Sequence, residues 1–121
     1  MIEQVKYSGL KILHLNLSKL PFDVMITGEK KEEYRKPSKW IKSRMYQKDG
    51  ITLKDYDLIH IVNGYGDDRP YFICRYLGHY IYGVDNMFDE GTRNYSNGLE
   101  VILKRGDFII GCGEILEVGN V

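Results

Sequence analysis

Apolar positions keep two different periods along this chain, helical spacing in the first third and strand alternation through most of the rest. In Lys11-Ile12-Leu13-His14-Leu15-Asn16-Leu17 the isoleucine and leucines are interleaved with polar residues, the mark of a strand with one buried face. Phe22, Met25 and Ile26 then fall at i, i+3 and i+4 on one helical face. Ser18 stands at the capping position, Pro21 is tolerated in a first turn, and Gly28 is a natural stop. Pro37 and Ser38 open a second short helix, expected over 39–46, that buries Ile41 and Met45 while Trp40 and Arg44 share another face. Strand patterns follow at 57–62, 71–82, 99–104 and 108–118, and the turn Lys104-Arg105-Gly106-Asp107 reads as a hairpin joining the last two. Helices early and strands late, without β-α alternation, predict an α+β fold with an antiparallel or mixed sheet, a small barrel with short helices at its side.

Length and composition narrow the class. The 121 residues suit one domain over 1–121, and no repeat, low-complexity run or linker divides them. With 43% apolar and 12% aromatic residues, ten of them tyrosines, the chain is globular rather than disordered. No apolar run approaches membrane-spanning length and the opening Met1-Ile2-Glu3-Gln4-Val5-Lys6 lacks the layout of a signal peptide, so a cytoplasmic protein is expected. Cys74 and Cys112 are too far apart for a C-x-x-C motif and are expected as small core thiols. His14, His60 and His79 sit on separate expected strands without a second ligand at metal spacing, so no metal site is expected, and no cofactor fingerprint is present.

The net charge is zero, yet its distribution is uneven: the segment from Gly28 to Lys48 carries plus five, and everything after it is acidic by six. A basic side is the footprint of a phosphate-bearing partner, although Lys39, Lys42 and Lys48 also suit the solvated face of a helix. At the head of this segment stands Gly28-Glu29-Lys30-Lys31-Glu32-Glu33-Tyr34-Arg35, expected as a short strand or turn between the two helices. Strand alternation puts Lys31, Glu33 and Arg35 on one face and leaves Lys30 with Glu32 and Tyr34, so Lys30 meets Glu33 only if it lies in the turn after Gly28. Two arrangements stay open. In one, Glu33 holds Lys30 and Arg35 in place through charge-assisted hydrogen bonds and leaves donors for a ligand; in the other, Glu33 and Arg35 simply tie strand to helix.

The spacing G-x-K-x-x-E-x-R, complete at Gly28, Lys30, Glu33 and Arg35, resembles the ASCH domains, relatives of the PUA domains, and especially single-domain proteins of phage and prophage type. Asn63-Gly64-Tyr65 resembles the N-G-Y segment after the central strand of many such proteins, and Gly111-Cys112-Gly113-Glu114-Ile115 resembles their terminal strand. The resemblance runs from Leu13 to Leu116 and implies a PUA-like barrel with an RNA-binding cleft beside the motif. It points to RNA or a nucleotide-like ligand held by Gly28, Lys30, Glu33 and Arg35, with Trp40, Arg44, Asn63, Tyr65 and Arg69 around them. Some ASCH members are ribonucleases, and others are amidohydrolases acting on acetylated cytidine with a lysine, a threonine and a glutamate. The alternative is therefore a small hydrolase with Lys30 as base or nucleophile and Glu33 as its partner, although Glu33 stands where those amidohydrolases carry the threonine. A third reading is an accessory protein whose basic face binds another protein.

Overall fold

The computed structural model describes residues 6–121, so the opening 1–5, read above as unlike a signal peptide, lies outside the described residues. Among the described residues the elements follow in the order β1 (Ile12–Leu17), α1 (Lys19–Ile26), β2 (Glu32–Arg35), α2 (Lys39–Met45), β3 (Leu58–Asn63), β4 (Tyr71–Ile81), β5 (Glu90–Asn94), β6 (Glu100–Lys104) and β7 (Phe108–Gly119). Five strands form one curled sheet, a half-barrel in the order β1-β3-β4-β7-β2, and β5 with β6 forms a separate hairpin. The α+β class holds. Of the antiparallel and mixed arrangements expected for the barrel, the sheet takes the mixed one: β1 runs parallel to β3, while the other described pairs are antiparallel.

Alternation along β1 and β3 turns Leu13, Leu15, Leu17, Ile59 and Ile61 to the concave face, where Phe72 and Cys74 of β4 and Ile110 and Cys112 of β7 complete the core. Helix α1 lays Phe22 and Met25 on this core, and α2 adds Ile41 and Met45, the face read from spacing. Ser38 caps α2 by accepting a hydrogen bond from the Ile41 N–H at 3.1 Å, whereas Ser18 makes no side-chain cap on α1. Helix α2 ends at Met45, one residue short of expectation, because Tyr46 is extended and bridges to Leu53. Gly28 stops α1 with φ at +86°, a left-handed turn that glycine takes without strain.

Two strand expectations are corrected. The turn at 104–107 is tight, with the Asp107 N–H donating to the Lys104 carbonyl at 3.1 Å, but it does not make a hairpin of β6 and β7. Strand β7 already pairs with β4 along one edge and β2 along the other, so β6 leaves the sheet and pairs with β5. Strand β5 itself, Glu-Gly-Thr-Arg-Asn, has no apolar alternation to announce it and is ordered by that pairing.

Candidate functional site

The turn after Gly28 decides the site. The Lys30 N–H donates back to the Val24 carbonyl at 3.0 Å, which places Lys30 before the strand begins and frees it from strand alternation. Its side chain passes beneath β2, where Nζ donates to Glu33 Oε1 at 3.1 Å and to the Glu32 carbonyl, and lies 4.7 Å from the centre of the Tyr34 ring. Glu33 points inward from β2 and is almost wholly buried, as is Lys30. The same carboxylate accepts the Tyr34 N–H at 3.1 Å and Arg35 Nε at 3.0 Å. One buried acid thus holds two cations and a backbone donor, which offsets the cost of removing its charge from water.

Arg35 carries the network across the fold. Its Nη2 donates to the Asn16 carbonyl at 2.7 Å, joining the end of β2 to β1, the two outer strands of the half-barrel. Asn16 in turn donates through Nδ2 to the Gly64 carbonyl at 2.6 Å, which ties the loop after β3 to the motif. On its outer side the Arg35 guanidinium lies 5.8 Å from the Trp40 ring, and the Arg44 guanidinium lies 5.3 Å from that ring. Trp40 is therefore flanked by two cations and still 42% exposed. Beside this network opens a cleft of about 320 Å³ that Lys30, Glu33, Tyr34, Arg35, Asn16 and Val101 help to line. Lys30 also borders a second, more apolar cavity of about 430 Å³ that reaches Cys74 and Cys112.

The structure thus brings Gly28, Lys30, Glu33, Arg35, Trp40 and Arg44 into one neighbourhood. It places the other three apart. Arg69 folds onto its own loop and donates through Nε to the Asn63 carbonyl at 2.8 Å, and Tyr65 stands 83% exposed. The N-G-Y loop reaches the motif through Gly64 and Asn16, neither of which its side-chain chemistry singled out.

Sequence reasoning also missed the β5-β6 hairpin as a roof over this cleft. Tyr95 shares a hydroxyl hydrogen bond with Tyr34, Ser96 binds the Glu29 carboxylate through its N–H at 2.8 Å and its hydroxyl at 2.5 Å, and Asn97 donates to the Leu20 carbonyl at 2.9 Å. Burial, then the Tyr95 bond, pushes the Tyr34 hydroxyl far above the usual tyrosine range, so it stays a neutral donor. The Ser96 bonds hold the Glu29 carboxyl below its ordinary value. Tyr95 and Ser96 lie in a turn between two strands, and no local signal links them to Tyr34 and Glu29, far earlier in the chain.

His14 and His60 occupy matching positions on the parallel strands, with Nδ1 atoms 3.1 Å apart, a pairing invisible while the two strands were read separately. Among the described residues no group of three or more histidine, cysteine or acidic side chains is arranged to hold a metal ion. No described helix is long and apolar enough to cross a membrane. No protein-family model, curated protein or solved structure matches the chain.

Proposed function

We propose that this chain is a binding module of ASCH type for RNA or a nucleotide-like ligand, using a basic surface that the Lys30-Glu33-Arg35 network holds in place. The observation that carries this reading is the row Arg35, Trp40, Arg44, an exposed indole flanked by two guanidinium groups beside the motif cleft. The exposed part of the indole offers planar apolar surface to a base, and the guanidinium groups beside it bind phosphate oxygens, so the row suits a ligand that carries both. Gly28, Lys30 and Glu33 serve it indirectly: the glycine makes the turn, and the buried ion pair fixes Arg35.

The hydrolase reading gains less support. A lysine acting as base or nucleophile must shed a proton and reach substrate, whereas the Lys30 ammonium is buried and engaged by Glu33, a carbonyl and an aromatic face. The test is fluorescence anisotropy with labelled single-stranded RNA, duplex RNA and DNA, for the wild type and an Arg35→Ala/Trp40→Ala variant, at low and high salt. Salt-sensitive binding of single-stranded RNA, weakened about tenfold or more in the variant by loss of a stacking platform and a phosphate ligand, is expected. Binding that ignores both salt and these substitutions would remove the proposal.

A further inference from the structure

A cavity separate from the motif cleft opens beside the C-terminal half of α2. It encloses about 930 Å³ where the end of α2 and the loop after it face the end of β4 and the start of β7. Lys42, Arg44, Lys48 and Lys54 stand around it, and no carboxylate is among its lining residues. Among the described residues none of these four cations has an acid within ion-pair distance. Of the acids near the lining residues in sequence, Asp49 accepts the Ile51 and Thr52 N–H groups at 2.9 Å and the Thr52 hydroxyl at 2.6 Å, Asp57 accepts the Lys11 N–H at 2.8 Å, and Asp107 binds Lys36 at 2.8 Å, while Asp55, next to Lys54, is exposed. The motif cleft differs in this respect, since there Glu33 already neutralises part of the positive charge.

The cavity's aromatic wall is built as firmly as its charge. Tyr46 and Phe108 line it with ring centres 6.2 Å apart, and the Phe108 ring stacks behind on His79 at 5.7 Å. Burial lowers the His79 pKa, so the imidazole backing this wall is neutral at neutral pH. The cation-bearing loop is ordered by its own backbone, with Gln47 N–H to the Thr52 carbonyl at 2.7 Å and Lys54 N–H to the Met45 carbonyl at 2.9 Å. Lysines on an ordered loop over an aromatic wall suit a ligand that combines phosphates with planar rings.

Arg44 belongs to both places, bordering this cavity while its guanidinium lies over Trp40. Resting on the nucleic-acid reading of the motif surface, we propose that this cavity is a second subsite, and that one single strand of RNA runs from Trp40 past Arg44 into it. Lys48 and Lys54 bind its phosphates, and the half-buried Tyr46 ring, backed by the buried Phe108, receives a base. A mononucleotide fits the cavity alone and has no use for the Arg35-Trp40-Arg44 row, whereas a strand uses both.

The experiment compares a labelled RNA dodecamer with a mononucleotide against wild type, Lys48→Gln/Lys54→Gln and Arg35→Ala/Trp40→Ala, across a salt series. Among the described residues Lys48 and Lys54 have no side-chain ion pair, so an unchanged melting temperature is expected for that variant. The expected result is dodecamer binding weakened several-fold by Lys48→Gln/Lys54→Gln, with the magnitude of the log-log salt slope lower by about 1.4, the loss of two phosphate contacts on a single strand. Dodecamer binding that only Arg35→Ala/Trp40→Ala weakens overturns the second subsite and leaves the motif surface standing. Mononucleotide binding as tight as that of the dodecamer overturns the continuous strand, and no binding of either overturns both readings.

Discussion

Glu33 is the residue on which most of the site's geometry converges. Its two carboxylate oxygens receive Lys30, Arg35 and a backbone N–H within the protein interior. Removing it strands the buried Lys30 ammonium, so Glu33→Ala is expected to destabilise the fold by about 3–5 kcal/mol in urea titration. Lys30→Met removes the other charge but leaves Glu33 its Arg35 and backbone partners, so the same titration should find it the milder change; the reverse order would contradict the network as described. Both residues stood out in the sequence because a lysine, a glutamate and an arginine crowd one glycine turn. Their contact did not follow from strand alternation, which sends Lys30 to the other face, and depends on the hydrogen bond from Lys30 to Val24 that delays the start of β2. His14 and His60 show the opposite case: neither has a patterned neighbour in sequence, and parallel register alone sets them side by side.

At the level of elements, the β5-β6 hairpin is the piece that sequence pattern describes least. Only β6 shows strand character, and the hairpin's position depends on contacts far along the chain, Ser96 to Glu29 and Asn97 to Leu20. These two anchors are polar and at the surface, while Leu103 of β6 is buried against Tyr82 and Ile109 in a smaller apolar cluster apart from the main core, so the hairpin opens at lower free energy than the core strands. Ser96→Ala is expected to speed amide hydrogen exchange in β5 and β6 while leaving exchange in β3 and β4 unchanged. Uniform acceleration across the chain would mean that the hairpin and sheet open as one unit. The helices, by contrast, were legible: Ile41 and Met45 are buried as their spacing predicts, and Ser38 caps where Pro37-Ser38 announces a start. A helix satisfies its backbone within itself, so its limits are written locally; a strand's partner is chosen elsewhere.

Over the whole molecule, β1 and β2 are the outer strands of the half-barrel among the described residues, and Arg35 reaches from one to the other. Its interior also holds Cys74 and Cys112, both buried and unbridged. A thiol–thiol hydrogen bond with Cys74, and then burial, push the Cys112 thiol well above the usual range. A thiol-reactive disulfide reagent is therefore expected to label neither cysteine in the native protein and both on unfolding, with the rate in mild denaturant following global opening; rapid labelling without denaturant would show that the cavity beside Lys30 admits reagents. The sequence by itself determined the α+β class, the buried faces of both helices, most strand locations, the core thiols and the charge-dense turn, because periodicity and turn chemistry record burial and backbone preference residue by residue. Only the tertiary structure decided that β1 runs parallel to β3, that β6 deserts β7, and that Lys42, Lys48 and Lys54 meet Phe108 around one cavity. Those outcomes depend on which sheet edges are already occupied and on which distant segments the curl of the sheet brings together, and neither quantity has a local period.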